Sequence, residues 1–421
     1  MTTAPPIDLS PRLSSLDPDV FDVPTGREVE WRFAPLTAFS RFFQSIEGAG
    51  DVRAKHETDY VRNVPISDVH SSWLPTDRPL AVARSLVRNA VVVDVPREQV
   101  IAEPIVLQLQ GAGDTSYQHV EINVGAFSSA VLVIEHDLDR DICGALVVNV
   151  GDGAKLTMLS VVDGATDAVH ISGWHTTTGR DATFIGCAVT LGGGFVRISP
   201  SVTYAAPGGN AELLGLFLAD GDQYLEHRIF VEHEQPHCTS RVTYKGALSG
   251  PGSHTVWVGD VLVRRGATGT DTYELNRNLL LNDGPRADSV PNLELETGEI
   301  IGAGHASATG RFDDEQLFYL QSRGIPETQA RQLVVRGFFN CGDMNWANSS
   351  ANAGKKGEGI AVAPAGQDGN RAPLANGGGD DSRPERGWRV GAGLSVRSAH
   401  QRRIRTLWCA DQPAGIFDSL R

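Results

Sequence analysis

Apolar and polar positions alternate with a short period over the middle of this chain. From about Ala90 to Leu281, segments such as AVVVDV, VEINVGAF and AVLVIEH are rich in β-branched residues, and Gly, Asp and Asn clusters separate them. This pattern is typical of many short strands joined by tight turns. Helical periodicity is nearly absent from the same stretch, so the sequence predicts a mainly β fold.

A sheet-only region of this length has to protect its edge strands. A sandwich, a barrel or a solenoid of stacked strands would each do so. The recurring order of strand, Gly or Asn, strand favours a solenoid slightly, because tight corners need residues that accept a positive φ. No repeat of fixed length supports it. The pattern therefore leaves the β-helix and the sandwich open.

The segments around this region divide the chain into five parts. Residues 1–25 are rich in Pro, Ser and Asp and predict a flexible leader. Residues 26–90 predict a mixed, partly helical region whose aromatic-rich start packs on the body. Residues 91–308 form the predicted strand-rich core. Residues 309–339 predict a helical hairpin, from an acidic start, a Gly stop and a Pro that opens a second helix. Residues 340–421 are Gly-rich and lack apolar periodicity, which predicts a disordered or aberrant tail.

Composition narrows the functional classes. The formal net charge is −14, which argues against nonspecific nucleic-acid binding because that requires clustered Lys and Arg. No segment approaches the length of a membrane span, and the start of the chain lacks the basic and apolar regions of a signal peptide. The five cysteines show no metal-binding spacing, and scattered thiols suit a reducing compartment. We therefore expect a cytoplasmic protein with no membrane or nucleic-acid partner.

Many short motifs occur in one order along the second half of the chain. They are a His before a Ser-containing strand (His233, Ser240), YKG (244–246), GDVLV (259–263), NRNLLL (276–281), PNLE (291–294), HASATG (305–310) and LFYLQSRGI (317–325). Together with GREVEWRFAPL (26–36), they resemble the SufB/SufD family of iron–sulfur cluster assembly proteins. One such motif would mean little, but their shared order is specific.

The resemblance implies a fold and a set of partners. It implies a right-handed parallel β-helix core flanked by N-terminal and C-terminal helical segments. It also implies pairing with a SufB-type subunit through the β-helix cores and docking of a SufC ATPase through the C-terminal helices. On this basis the chain is expected to be a non-catalytic scaffold subunit that binds no cofactor tightly by itself, with a transient iron–sulfur cluster at the SufB interface.

His305 is the residue that the resemblance singles out as a metal or cluster ligand. Family members often carry a Cys two residues before this His, whereas here the position is Ala303. An imidazole without the thiol favours a SufD-type subunit, with the SufB-type partner supplying sulfur ligands. The alternative for His305 is a hydrogen bond across the subunit contact. The alternative for the whole chain is a SufB-like scaffold that carries the nascent cluster itself.

The predicted helical hairpin supplies the residues expected to face the ATPase. By resemblance, the partner interface includes Phe318, Tyr319, Arg323, Gly324 and Arg331. An alternative role for the two helices is to cap the open end of the solenoid, which is compatible with docking. The glycines at 192–194 lack the Lys-Ser/Thr of a phosphate loop, so no nucleotide site is expected in this chain.

Several other residues favour structural roles. His233 and His237 are four apart, but Pro236 between them argues against a helix and therefore against a shared metal. Cys143, Cys187 and Cys238 lie in apolar surroundings and predict buried side chains, although Cys187 or Cys238 could also line an internal sulfur path. Asn276, Asn278 and Asn282 predict polar ladders at the corners of a solenoid.

A different functional class is a polysaccharide-processing enzyme of the β-helix type. Such an enzyme needs paired carboxylates, or a calcium-assisted base, on one solenoid face. The lack of a signal peptide and the LFYLQSRGI segment argue against it.

The family resemblance ends at Phe339. Beyond it the chain is rich in Gly, Asn and Arg without apolar periodicity. Members of the family continue here with an amphipathic helix. A natural divergence or a shift of reading frame at codon 340 would each explain this change. If the terminal helices of the family are missing from this chain, docking of the ATPase is expected to be weakened.

Overall fold

Two sheets and four helices form in the computed structural model, which describes residues 12–56, 58–136 and 140–340. The predicted tail, residues 340–421, lies almost wholly outside them. The helices are α1 (Leu36–Phe39), α2 (Arg78–Leu86), α3 (Asp314–Ser322) and α4 (Glu327–Asn340). Within the described residues, none of these helices has both the length and the apolar character needed to cross a bilayer.

The strands follow one another in chain order, with short turns between most of them. They are β1 (Gly50–Asp51), β2 (Arg53–Lys55), β3 (Val61–Pro65), β4 (Asn89–Val95), β5 (Ile105–Gln110), β6 (Thr115–Val124), β7 (Ser129–His136), β8 (Asp141–Val150), β9 (Lys155–Val162), β10 (Val169–Thr178), β11 (Thr183–Thr190), β12 (Phe195–Tyr204), β13 (Asn210–Ala219), β14 (Tyr224–His233), β15 (Thr239–Leu248), β16 (His254–Val263), β17 (Asp271–Leu280), β18 (Arg286–Leu295) and β19 (Gly302–Arg311).

From β4 onward, successive strands alternate between the two sheets. The first sheet has the order β18-β16-β14-β12-β10-β8-β6-β4-β3, and β1 pairs with β6. The second has the order β19-β17-β15-β13-β11-β9-β7-β5-β2. All pairs from β4 onward along the chain are parallel, whereas β3 with β4 and β2 with β5 are antiparallel. Each rung therefore gives one strand to each sheet, which confirms the predicted parallel β-helix and excludes the sandwich.

The rungs differ in length along the chain. Thr115 pairs with Asp141, 26 residues on, whereas His254 pairs with Arg286, 32 residues on. A fixed repeat is therefore absent from the sequence although the register between neighbouring strands is regular. This is why periodicity alone could not distinguish the β-helix from a sandwich.

The core lies between the two sheets. Because side chains alternate across a strand, every second residue points inward, and register-matched residues stack into columns. Val120, Leu146 and Trp174 form one such column on β6, β8 and β10, and all three are buried. Burial of each large apolar side chain contributes about 1.5–3 kcal/mol.

The N-terminal region covers the outer face of the first sheet. Trp31, Phe39, Phe42 and Phe43 are buried against that face, with the rings of Trp31 and Phe43 5.3 Å apart in an edge-to-face arrangement. The prediction that this aromatic segment packs on the body is confirmed. Aromatic pairs of this geometry add about 0.5–1.5 kcal/mol beyond the area that they bury.

Residues 12–25 of the predicted leader contact the body of the protein. Arg12 forms an ion pair with Asp260, 3.1 Å apart, and its guanidinium lies 3.4 Å from the centroid of the Phe230 ring. Arg78 donates from Nη1 to the carbonyls of Pro18 and Phe21, each at 2.8 Å. A few anchoring side chains hold a segment whose average composition is typical of a mobile one.

The asparagine prediction is correct in part. Asn282 lies in a turn, where its Oδ1 accepts a hydrogen bond from the amide of Gly250. Asn276 and Asn278 instead lie inside β17 and point into the core, so their assignment to corners is wrong. Both occupy inward positions of the strand, and strand alternation rather than residue type decides where they point.

Candidate functional site

The β-helix ends in two strands that lack a neighbour on one side. In the part of the chain that the structure describes, β18 pairs only with β16 and β19 pairs only with β17. Each of these strands is ten residues long. Their outer edges therefore present a row of backbone donors and acceptors, which native proteins usually cover or use for pairing.

His305 lies in the middle of β19 at this end. Its side chain is exposed, and it is register-matched to Glu274 on β17. Since paired residues of parallel strands point to the same face, His305 and Glu274 both belong to the inward column of the second sheet. Ala303 is two residues earlier on the same face, so the position of the absent thiol is also directed there.

Below this end, the interior becomes polar. The amide of Asn278 donates to Oδ1 of Asn276 at 2.9 Å and to the hydroxyls of Ser289 and Thr309 at 3.1 and 3.3 Å. The Ser289 hydroxyl donates to Oδ1 of Asn276 at 2.7 Å. These hydrogen bonds link β17, β18 and β19 across the interior. In the last rungs, a cluster of hydrogen-bonded polar side chains therefore occupies inward positions that are mostly apolar in the earlier rungs.

Glu274 lies among these residues without a partner. It is 1% exposed, and neither of its carboxylate oxygens has a hydrogen-bond partner in the described part of the chain. Burial, with a smaller contribution from the charge of Asp260, raises the pKa of Glu274 to about 8. A buried carboxyl group that is not hydrogen-bonded costs free energy, so this position requires an explanation.

The donors at this end fit a partial metal site. Imidazole nitrogen and carboxylate oxygen are both ligands of divalent iron and zinc. Among the described residues, no group of three or more His, Cys, Asp and Glu side chains is close enough to hold a metal ion. His305 and Glu274 could therefore supply two ligands of an ion, without a third His, Cys, Asp or Glu side chain from the described residues.

The second predicted surface is the α3–α4 hairpin. Phe318 is 73% exposed and Tyr319 is 56% exposed, although both are large apolar residues on a short helix. Arg323 caps the end of α3 and lies over the Tyr319 ring, 4.9 Å from its centroid. Gly324 follows with a φ of +85°, a conformation that glycine adopts without strain. Arg331 on α4 bonds to Glu327 at 2.9 Å, one turn earlier.

The remaining candidates are structural within the described chain. His233 ends β14 inside the core, where Nε2 is 2.9 Å from the Ser240 hydroxyl, and His237 lies in a turn with a φ of +59°. They share no helix, as predicted. Cys143, Cys187 and Cys238 are buried free thiols, as predicted. Burial raises the pKa of Cys187 to about 12, so this thiol is protonated at neutral pH.

The comparisons with known proteins decide the family. Residues 107–338, more than half of the chain, match the family model described as the SUF system FeS cluster assembly SufBD core domain. This chain belongs to the SufBD family. The family that the motifs predicted is confirmed, and with it a role in iron–sulfur cluster assembly. The match begins at the third residue of β5 and ends within α4, so it includes the open end and most of the hairpin.

Curated relatives agree with this assignment. An iron–sulfur cluster assembly SufBD family protein of Mycobacterium bovis is 48% identical over 340 residues, 77% of this chain and 86% of the relative. A protein of the same description from Mycobacterium leprae is also 48% identical, over 77% of this chain and 87% of the relative. The iron–sulfur cluster assembly protein SufD of Escherichia coli is 29% identical over 272 residues, 62% of this chain and 63% of the relative.

Glu274 is the candidate residue that sequence reasoning missed. It is 31 residues before His305, a spacing that corresponds to one rung at this end of the SufBD protein. Rung length varies along the chain, so the register could not be read from the sequence. A charged residue on the inward side of an otherwise apolar and amide-rich strand, DTYELNRNLL, is the signal that could have indicated it.

Proposed function

We propose that this chain is a non-catalytic, SufD-type subunit of an iron–sulfur cluster assembly scaffold. In this proposal it pairs with a SufB-type subunit through the open end of its β-helix and docks a SufC-type ATPase through the α3–α4 hairpin. The observation that supports it most is the outer edge of β18 and β19, which no strand of the described residues pairs with, and the exposed His305 beside it.

The open end suits pairing with another β-helix. Two long edge strands offer backbone hydrogen bonds, and strand addition to such an edge is a common mode of protein recognition. Nearby apolar residues, Leu295 and Ile301, are exposed at the same end. A second subunit would cover both the backbone groups and these side chains.

His305 would then lie at the subunit contact. It provides a nitrogen ligand for iron or for a transient cluster, which is the cargo of the assembly reaction. Because Ala303 supplies no thiol on that face, the sulfur ligands would come from the SufB-type partner. The alternative of a SufB-like subunit that carries the cluster alone is disfavoured for the same reason.

The hairpin offers an aromatic surface to the ATPase. Phe318, Tyr319 and Leu333 are exposed apolar side chains on two short helices. Aromatic and Arg side chains are the residues that most often dominate the energy of protein interfaces. Arg323 lies over the Tyr319 ring, and Arg331 lies over the ring of Phe312, just before α3.

The setting of the reaction is proposed to be the cytoplasm. The described cysteines are free thiols, which suits a reducing compartment. The relatives are named as assembly proteins, which supports a scaffold rather than a catalyst. The acidic composition argues against a nucleic-acid partner.

Replacing His305 tests the proposal directly. We expect His305→Ala to reduce the iron and sulfide content of the complex purified after co-expression with the SufB-type and SufC-type subunits of the same genome. The expected loss is about tenfold, since a lost protein ligand weakens metal binding at least as much as the 10–100-fold typical of its supporting contacts. His70→Ala, at an exposed histidine of the N-terminal region, is the matched control and should retain the wild-type content. Unchanged cluster content in His305→Ala would remove this residue from the site.

A charge placed on the aromatic surface of the hairpin tests whether the ATPase docks there. Phe318→Asp should reduce the amount of SufC-type ATPase that co-purifies with this chain by about tenfold, because truncating an aromatic anchor costs more than about 1 kcal/mol of binding free energy. Gln316→Asp places the same charge on the same helix at an exposed polar position and should bind normally. Equal recovery of the ATPase by both variants would contradict docking at α3.

A further inference from the structure

An unpaired carboxyl group in the core of a β-helix is an unfavourable feature. Glu274 points inward from β17, and its two oxygens have no hydrogen-bond partner among the described residues. The Nδ2 groups of Asn276 and Asn278 on the same strand do donate hydrogen bonds to neighbouring strands, and among the atoms of these two amides only Oδ1 of Asn278 has no partner in the described chain. A glutamate in this position lowers stability, and natural proteins keep such features mainly at functional sites.

The opposite sheet leaves room for the carboxylate. Gly259 on β16 faces Glu274 across the interior, and a Cβ atom at Gly259 would be 2.6 Å from Oε1 of Glu274. Any larger residue at position 259 would therefore clash with the carboxyl group. The same Cβ would also be 2.5 Å from the Trp257 ring. A glycine on one sheet and an extended glutamate on the other together place the carboxylate between the sheets, one rung below the open end.

His305 is the neighbour of Glu274 on the side of the open end. The two residues are register-matched on adjacent parallel strands, which lie about 4.8 Å apart, and point to the same face. In the described chain no strand follows β19, so nothing there separates His305 from the end of the β-helix. One donor is therefore exposed and the other buried directly beneath it.

We propose that Glu274 is a second protein ligand, acting with His305, for a first-row divalent metal ion such as Fe²⁺ at the end of the β-helix. This inference deepens the proposed function and rests on it. One imidazole nitrogen and one carboxylate oxygen leave at least two coordination positions open. Since no third donor of this kind is close by in the described chain, those positions belong to the partner subunit or to sulfide. The pair is thus half of a site that is completed on assembly.

The buried position of Glu274 sets the order in which the two residues would bind an ion. Only His305 is reached from solvent, so the ion would meet the imidazole first and the carboxylate second. When His305 holds an ion, the Glu274 carboxylate becomes the second ligand. The ion then neutralises the negative charge of Glu274, which is otherwise costly to bury. A hard oxygen ligand also favours the divalent ion over copper(I), which prefers sulfur.

Titration with Co²⁺, a spectroscopic probe of Fe²⁺ sites, tests the inference on the full chain without an affinity tag of histidines. The readouts are the visible absorption of bound Co²⁺ and the affinity from calorimetry. Glu274→Gln keeps the size of the side chain and removes its charge, and we expect it to weaken Co²⁺ binding about tenfold. His305→Ala should weaken binding similarly. The control is Glu299→Gln, at an exposed glutamate in the turn before β19, with unchanged affinity.

The double variant distinguishes one shared ion from two sites. If Glu274 and His305 bind the same ion, the combined loss will be smaller than the sum of the single losses, because contacting groups are not additive. Equal affinity of Glu274→Gln and the wild type, or no saturable Co²⁺ binding by the wild-type chain, would overturn the inference. Thermal unfolding of each variant shows whether the fold is kept, and Glu274→Gln is expected to be at least as stable as the wild type.

The failure of the proposed function has a different signature. A chain that does not co-purify with a SufB-type subunit would contradict the subunit role, whatever the Co²⁺ titration gives. Normal co-purification together with unchanged Co²⁺ affinity in Glu274→Gln would retain the subunit role and remove Glu274 from the site.

Discussion

Lowering the pH from 7 to 5 is expected to destabilise this protein by several kcal/mol, because four histidines are buried as neutral groups in the core. His136, His170, His227 and His233 all point between the two sheets and are almost fully buried. Burial lowers the pKa of His136 and His233 to about 4 and of His227 to about 3, and it lowers the pKa of His170 well below its ordinary value, with a smaller contribution from neighbouring His136.

Stability falls at low pH because the unfolded chain takes up protons that the folded chain does not. Below about pH 6.5 the unfolded histidines bind protons, whereas the folded ones remain neutral until the pH approaches their lowered pKa values. The unfolded state therefore binds more protons between pH 6.5 and pH 4, and stability is lost as the pH falls through this window. Each such histidine costs about 2 kcal/mol between pH 7 and pH 5.

Urea unfolding followed by tryptophan fluorescence at several pH values measures this effect. The slope of the unfolding free energy against pH gives the number of protons taken up. His227→Gln should lower that number by about one below pH 6, and its Thr190 contact, 3.1 Å from Nε2, can be kept by the amide. Equal stability at pH 7 and pH 5 would show that these histidines are hydrated or already charged in the folded state.

The fold could be predicted from the sequence only as far as local patterns reach. Alternation in segments such as AVLVIEH predicts β7, and the aromatic residues near Trp31 predict a docking segment. The pairing of strands depends on contacts between residues that are 26 to 32 positions apart, and this distance changes from rung to rung. The local pattern therefore favours the β-helix only slightly, and the family resemblance is what predicts it.

In the candidate site, too, one residue could be predicted from a local motif and the other could not. His305 belongs to a local motif and could be found by resemblance, whereas Glu274 joins it only through the register of β17 and β19. The anchoring of residues 12–25 escaped prediction for a similar reason, because Arg12 depends on Asp260, which is 248 positions away. Local composition describes how a segment behaves alone. At Glu274 and at residues 12–25, contacts with residues distant in the sequence decide the structure instead.

Removing the carboxylate of Glu226 is expected to destabilise the protein by roughly 3–5 kcal/mol, because it would leave a buried arginine without its partner. Nη1 of Arg197 is 2.6 Å from Oε2 of Glu226, and the two side chains are 3% and 1% exposed. Arg228 contacts the other carboxylate oxygen at 3.3 Å, and the Tyr224 hydroxyl donates to Oε2 at 3.0 Å. Burial alone would raise the pKa of Glu226, but the charges of Arg197 and Arg228 outweigh it and lower this pKa.

This ion pair also supports the N-terminal region. The guanidinium of Arg197 lies 4.0 Å from the centroid of the Trp31 ring, so the buried charge is enclosed between the first sheet and the aromatic segment. In Glu226→Gln the uncompensated cation can regain water only if that segment moves away. We therefore expect loosening of residues 26–43 before the β-helix itself unfolds, detectable as faster amide hydrogen exchange in that segment.

Two control variants show whether Glu226→Gln loses stability because a charge is left buried and unpaired or because a contact is lost. Asp283→Asn breaks the pair with Arg311, in which both side chains are mostly exposed, and it should leave the unfolding free energy unchanged. Arg197→Met combined with Glu226→Leu removes both buried charges and should be more stable than Glu226→Gln alone, because apolar groups can fill the place of a buried pair. If the double variant were the less stable of the two, the cost would lie in lost packing beneath Trp31 and not in the unpaired charge.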